Sequence, residues 1–579
     1  MSLYLKKAFI LFVLLGIINY ANVFGQNAAP KIDQKGEAWV EGALKNMTLR
    51  EKIGQMIVLP MNGEFVNLNS EKFLQLRRQV EQNKVGGFTL FHGEANSIAA
   101  LTNELQRLAK TPLFFSADFE RGMRMQLRTG TPFTTNMGVA ATGDPQAAYR
   151  QGKIICEEMR AIGVHWLFAP VADINNNPDN PVINIRSFGA DPQQVAKFVS
   201  RLARGVEENG CLATLKHFPG HGDTAVDSHI GLSTIQADRA RLEAVELVPF
   251  KAAIENGVDV VMIAHLAIPK VTGDNLPGTL NPKITVGLLR NELKFNGIIV
   301  TDSLEMGAIA KNYSSGQSAV MAFKAGADVV LFPPDVDQAM AAIEGAVKNG
   351  EIIEERIDQS VRRLLAAKYR LGLMENRFVD LSKVNQSIEK PENVREANQI
   401  AEKSITLLRN QDDLFPLNGD KAKKTLFVVI AADDDAAEGA ALASEIARRA
   451  PGAQIVRLDP RSTREDYEKV LSQTNQFDAI LLAPFVKRAA GKGTVALPEN
   501  QTNFVRQMIA LAKPIGVAAF GSPYLIRQFP AVKNYVVTYA IEEVAQTAAA
   551  KTIFGEVRFQ GKLPVSVPGI FEINSGITK

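Results

Sequence analysis

Cysteine is almost absent from this 579-residue chain, which has only Cys156 and Cys211, and no Cys/His spacing of a zinc site occurs. Each cysteine sits in an apolar run, so two buried free thiols are the expectation, although an exported chain would permit a bridge. Charge of one sign is missing as well. With 65 Lys and Arg against 62 Asp and Glu, the formal net charge of +3 gives no basis for electrostatic capture of nucleic acid. There is no low-complexity tract, and past the N-terminus no apolar run is long enough to cross a bilayer. Histidine is missing from the whole C-terminal part. His92, His165, His217, His221, His229 and His265 are the complete set, so chemistry that needs an imidazole belongs to the first part. The C-terminal part has neither a Gly-rich phosphate loop nor a nucleophile elbow, and nothing in the chain calls for a cofactor or a metal.

What is present begins with a leader. Lys6 and Lys7 precede the apolar residues 8–18, and small or polar residues follow up to Gly25 and Gln26. That is a basic segment, a hydrophobic segment and a cleavage site, predicting a signal peptide over 1–25 and a periplasmic or secreted protein. The apolar run is short for a membrane anchor, and no cysteine near the cleavage site offers a lipid attachment point.

Short β-branched runs then alternate with amphipathic stretches of helix length. The runs are 53–60, 85–91, 112–117, 164–171, 212–216, 258–264, 297–301 and 327–332. Near-continuous apolar strands alternating with helices predict a parallel (β/α)8 TIM-type barrel over 26–378, with a doubly wound open sheet as the alternative. Residues 379–394 read as a linker. Further runs at 425–431, 479–483, 515–519 and 534–539 predict a smaller α/β layered sandwich domain over 395–579.

Polar residues recur where the barrel strands should end: His92, Asp118 and Glu120, Asp173, Lys216 and His217, His265, and Asp302. A barrel gathers these ends on one face, where active sites are built. The segment from Lys216 to His229 (KHFPGHGDTAVDSH) is the most informative. Pro219 and Gly220 break the helix that the i, i+4 spacing of His217 and His221 would need for zinc. In an extended stretch Asp227 and His229 project to one side. A carboxylate accepting from one imidazole nitrogen raises the imidazole pKa and leaves the other nitrogen for proton transfer. The same pair could equally tie down a loop. Asp302 would end the buried run IIVTD and point into the barrel mouth, or cap the next helix. A carboxylate with one proton donor is the minimum for glycoside cleavage with retention.

At this point the residues resemble glycoside hydrolase family 3, and within it the β-N-acetylglucosaminidase-like subgroup. The run 216–229 and the strand IIVTDSLEM carry the resemblance. FAPVADINNNP from Phe168, RSFG from Arg186 and SADFE from Ser116 support it, as do SITLLRN from Ser404 and FGEVRFQGKLPVS from Phe554. It spans residues 38–568. The resemblance implies Asp302 as nucleophile and His229 as acid/base, oriented by Asp227, with Asp118, Arg186, Lys216 and His217 holding the sugar. It implies an exo-acting retaining β-N-acetylglucosaminidase acting on a carbohydrate, either peptidoglycan fragments or chitooligosaccharides. The alternatives are a β-glucosidase or β-xylosidase, a phosphorylase of the same family, and a glycan-binding protein without catalysis. One departure stands out: Arg121-Gly122-Met123-Arg124 replaces the subgroup's two glycines followed by Arg, leaving the role of Arg124 open.

Overall fold

The computed structural model describes residues 32–227, 230–489 and 491–579; the expected signal peptide and His229 lie outside the described residues. Eight parallel strands close into a barrel. In chain order they are β1 (Ile57–Gly63), β2 (Gly87–Gly93), β3 (Phe114–Ala117), β4 (Trp166–Leu167), β5 (Leu212–Phe218), β6 (Val260–Ile263), β7 (Ile298–Ser303) and β8 (Val329–Leu331). Strand β1 pairs with β8 through Ile57 and Val330, which closes the ring and excludes the open sheet. Every residue of β3, β4, β6 and β8 is buried, the pattern of strands covered on both faces.

Helix starts follow local chemistry. Asp144 accepts a hydrogen bond from Gln146 N at 3.0 Å and Asp191 accepts from Gln194 N at 2.8 Å, each just before a proline. These caps open the helices Pro145–Ala161 and Pro192–Glu207, where the missing proline N–H costs nothing. The two helices lie side by side. A methyl group on Gly205 would collide with the Tyr149 carbonyl, so glycine sets their approach.

The first helix also carries a correction. Cys156 and Cys211 are joined in a disulfide, not left as free thiols. Burial alone does not separate the two states. What decides is that the helix passes beside the entry to β5, bringing the Cα atoms to 5.9 Å, inside the bridging range.

At the base of the barrel a single buried carboxylate, Asp328, accepts from the Ile299 N–H at 2.9 Å and from Arg363 at 3.2 Å, and it also pairs with Arg290 and Arg356. Burial pushes its carboxyl up, but the three guanidinium groups outweigh that and hold it well below the usual range.

The second domain is a six-stranded sheet formed by β9 (Thr406–Asn410), β10 (Thr425–Ala431), β11 (Ile455–Leu458), β12 (Ala479–Val486), β13 (Ile515–Gly521) and β14 (Asn534–Val537). The order is β9-β14-β13-β12-β10-β11, with β9 antiparallel. Strands β9 and β11 were not among the expected runs; both are edges, and β11 is only half-buried and carries Arg457. Along β10 the side chains alternate between two cores. Leu426, Val428 and Ile430 face one that also contains Met137, Ala141 and Ile185 of the barrel domain, while Phe427 and Val429 face the other. One face of the sheet is therefore packed on the barrel. Asn175 Nδ2 donates to Tyr524 Oη at 2.9 Å and Arg527 pairs with Asp179 at 2.6 Å across the same contact.

Candidate active site

The C-terminal ends of the barrel strands surround a cavity of about 550 Å³. Its polar lining includes Asp118, Glu120, Arg186, Lys216, His217, His221 and Asp302, with Phe91, Phe168, Met262 and Phe332 as apolar walls. Another hollow, of about 460 Å³, lies below the starts of β1 to β3. There Glu51 and Lys110 pair with each other at 3.4 Å, and no set of titratable groups converges. The chemistry belongs at the mouth.

An ion network is built from three strand ends. Lys216, at the end of β5, is fully buried and donates to Asp118 at 2.6 Å and to Glu120 at 2.8 Å. Arg186 forks onto Glu120, with Nη2 at 2.7 Å and Nε at 3.0 Å. Burial raises the Glu120 carboxyl, but Arg186 and Lys216 together outweigh it and hold the group well below the usual carboxylate range. Glu120 therefore stays charged and fixes both cations.

Asp173 does the same for the imidazoles. It follows β4 and is fully buried; its Oδ2 takes the His217 Nδ1 contact at 2.7 Å, and its Oδ1 accepts from the backbone N–H groups of His217 at 3.2 Å and His221 at 2.6 Å. Burial raises its carboxyl, and the two histidines bring it below the ordinary value. His221 is pulled down to about 4 by burial, so its imidazole is neutral around pH 7 and has no proton to give as an acid. The chain just past His221 is shaped by Gly222, where a methyl group would collide with the Ile174 carbonyl.

Asp302 ends β7, is half-buried, lines the cavity and accepts from Ser303 N at 2.8 Å. His265, after β6, braces that position from below: its Nε2 meets the Ser303 carbonyl at 2.7 Å and its Nδ1 meets Thr279 Oγ1 at 2.8 Å. The exit of β6 is also tied to the loop after 227 by a short pairing of Ser233–Thr234 with Leu266–Ala267. Asp227 is buried, and its Oδ2 accepts from Gly491 N, in the second domain, at 2.7 Å.

The cavity thus brings together Asp118, Arg186, Lys216, His217 and Asp302. His92 is exposed at the end of β2 and does not line it, although its neighbour Phe91 does. Arg124 is turned away as well, bonded to Glu389 at 3.0 Å. Two charged lining residues, Glu305 and Arg488, were missed from the sequence. Arg488 comes from the segment after β12, and its Nη1 donates to the Val182 carbonyl at 3.1 Å.

The descriptions "Glycosyl hydrolase family 3 N terminal domain" and "Glycosyl hydrolase family 3 C-terminal domain" match residues 48–367 and 405–574. The chain belongs to glycoside hydrolase family 3. Within the family it is 28 % identical over 561 residues to a beta-N-acetylglucosaminidase/beta-glucosidase of Cellulomonas fimi, covering 93 % of this chain and 97 % of that protein. The solved family 3 beta-N-acetylglucosaminidase of Paenibacillus sp. str. FPU-7 is 34 % identical, with a TM-score of 0.80 over 90 % of this chain and 99 % of that one. A beta-glucoside phosphorylase bound to 2FGlc is 25 % identical, with a TM-score of 0.85 over 95 % of this chain and 99 % of that one. The family 3 barrel and sandwich both expected from the sequence are present, and the enzyme is a glycoside hydrolase.

Proposed function

We propose that the protein is an exo-acting, retaining β-N-acetylglucosaminidase that releases terminal N-acetylglucosamine from peptidoglycan fragments or chitooligosaccharides. The observation that carries this reading is the meeting of Asp302 with the Asp118–Lys216–Glu120–Arg186 network and His217 around one cavity. The named activities of the Cellulomonas and Paenibacillus relatives support the sugar. The donors fixed by Glu120 and Asp173 would hold the hydroxyls of the sugar. Asp302 would attack the anomeric carbon, forming an ester as the glycosidic bond breaks. The imidazolium of His229, oriented by Asp227, would give its proton to the leaving oxygen. Water then attacks the anomeric carbon, His229 takes the proton, and the Asp302 carboxylate is released. The assignment of this task to His229 follows the resemblance of the run 216–229 to the family's Asp-Ser-His loop.

We assign residues 26–378 to the catalytic domain, 379–394 to a linker and 395–579 to the second domain. Export to the periplasm or beyond is supported by the leader sequence and by the disulfide, which persists in oxidising compartments. The deciding experiment is release of p-nitrophenol from the aryl β-N-acetylglucosaminide. Activity should vanish in Asp302→Ala and fall strongly in His229→Ala; equal turnover of the plain glucoside would refute the sugar assignment. The likeness to the phosphorylase supports a second reading, in which phosphate replaces water as acceptor. Its test is whether added phosphate diverts product to the sugar 1-phosphate.

A further inference from the structure

Asp302 sits at an irregularity in the barrel. Toward β6 the register of β7 is regular, from Val260 opposite Ile298 to Ile263 opposite Thr301. Toward β8 it is not: Val329 faces Val300 but Leu331 faces Ser303, so β7 carries one extra residue within 301–302. Such a bulge bends its strand and re-aims a side chain. Here the side chain is that of Asp302, which lines the cavity. Strand β5 has a counterpart on the other side of β6. Leu215 faces Val261 and Phe218 faces Ile263, which leaves an extra residue within 216–217. Lys216, His217 and Asp302 therefore all stand on bulges, and the regular strand β6 runs between them.

A bulge takes ladder groups away from their ordinary partners, and the substitutes show what holds it. On the β8 side, the Leu331 N–H donates to the Thr301 hydroxyl at 3.0 Å in place of a backbone carbonyl. On the β6 side, Ser303 lies past the last paired residues, and its carbonyl accepts from the side chain of His265, through Nε2 at 2.7 Å. A carbonyl only accepts, so Nε2 carries a proton. The ring is anchored in turn to the exit of β6. Its Nδ1 meets Thr279 Oγ1 at 2.8 Å, and that hydroxyl lies 3.1 Å from the Ile263 and Ala264 carbonyls. Next to His265, the Ala264 N–H donates to the Phe218 carbonyl at 2.9 Å, just past the β5 bulge. Ser303 is thus held at both ends: its N–H by Asp302 Oδ1 at 2.8 Å and its carbonyl by His265. A shift of this peptide shifts the carboxylate with it.

We propose that His265 is a positioning residue for formation of the glycosyl-enzyme: through the Ser303 carbonyl it fixes the bulge that aims the Asp302 carboxylate at the anomeric carbon. His265 is buried and is not part of the cavity lining, so it acts through Asp302 and not on the sugar. It moves no proton. The proposal rests on the reading of Asp302 as nucleophile and deepens it, because the strand end alone does not set the aim of the carboxylate.

The test compares full-length wild type, His265→Ala, His265→Gln, Thr301→Val and Asp302→Ala on the aryl β-N-acetylglucosaminide. Two quantities are read: kcat/KM, which reports the first chemical step, and the inhibition constant of free N-acetylglucosamine, which reports the sugar site alone. His265→Ala should lower kcat/KM about 100-fold, the cost of about 1 Å of misplacement, with the inhibition constant within about twofold of wild type. His265→Gln, whose amide N–H can donate to the same carbonyl, should recover about tenfold of that loss. Thr301→Val removes the hydroxyl on the other side of the bulge and should lower kcat/KM about tenfold, again without weakening the sugar. A folded His265→Ala with kcat/KM within about threefold of wild type overturns the proposal. So does an inhibition constant that rises in step with the loss, which is the mark of a merely structural role, or a His265→Gln no better than His265→Ala. Should the His265 variants fail to fold, Thr301→Val decides: the tenfold loss supports the proposal and wild-type activity overturns it. An active Asp302→Ala would instead remove the nucleophile reading itself, so the two failures are distinguishable.

Discussion

Glu120 is the point at which stability and activity meet, and Glu120→Gln perturbs both without changing side-chain size. The carboxylate is buried and bonded to Arg186 at 2.7 and 3.0 Å and to Lys216 at 2.8 Å. The amide keeps the shape but loses the charge, leaving two buried cations to share Asp118. Breaking a buried ion pair from one side costs about 3–5 kcal/mol, because the remaining charge is uncompensated. At about 2 °C per kcal/mol for a large domain, the melting temperature should drop by roughly 6–10 °C. Arg186 and Lys216 would also shift, and a displacement of about 1 Å in positioning groups lowers turnover about 100-fold. The pH dependence supplies an independent check. The folded carboxyl lies well below its usual value, so its contribution is complete above the unfolded pKa of about 4.3 and is lost as pH falls through the folded one. The gap in melting temperature between wild type and variant should therefore be flat from about pH 8 to 5 and close only at lower pH. Thermal melts across pH, with kcat/KM on an aryl β-N-acetylglucosaminide, measure both effects. A variant melting within about 1 °C of wild type at pH 7, with kcat/KM within about twofold, would refute the reasoning.

Other perturbations test separate parts of the molecule. Asp328→Asn removes the carboxylate shared by Arg290, Arg356 and Arg363, so denaturant melts should show a loss of about 3–5 kcal/mol. Because the Asp328 carboxyl is depressed in the folded state, that loss should stay constant down to about pH 5. Reducing the Cys156–Cys211 bridge reopens a separation of 55 residues, worth about 4 kcal/mol by chain entropy, and calorimetry with and without reductant should show the shift. If Asp227 orients His229 as proposed, Asp227→Asn removes the anion that favours its protonated form, and the alkaline limb of the kcat profile should move by about one pH unit toward lower pH. An unmoved limb would separate Asp227 from the acid/base.

The parts legible in the sequence are those governed by short-range pattern. β-Branched runs marked the barrel strands because parallel strands are buried on both faces, and the amphipathic stretches between them marked helices such as Pro145–Ala161 and Pro192–Glu207. The residues at the strand ends were legible because barrel closure brings strand C-termini together whatever the loops do. Arg488 was not legible, since Lys487-Arg488 after an apolar run reads as a solvated pair; its place in the cavity depends on how the sheet packs on the barrel. The disulfide failed for a similar reason, because apolar neighbours indicate burial and say nothing of which cysteine lies opposite. Edge strand β11 escaped because an edge needs no continuous apolar run.

That dependence on packing bears on how the loop carrying Asp227 is held. From the barrel side, Ser233 Oγ donates to the Val226 carbonyl at 2.7 Å, and Lys311 Nζ donates to the Ile230 carbonyl at 2.7 Å. From the sheet side, the Gly491 N–H reaches Asp227 Oδ2, while the next residue, Lys492, is fixed to Asp433 at 2.6 Å in the loop after β10. A backbone N–H on the carboxylate limits how far Asp227 can turn, so the orientation of this acid is set jointly by both domains. The barrel supplies the strand that carries Asp302, and the sandwich supplies a restraint on the loop that carries Asp227. The position of Asp227 is thus a property of the interface as well as of the barrel, so the contacts of Tyr524, Arg527 and the shared apolar core bear on this loop and not only on stability.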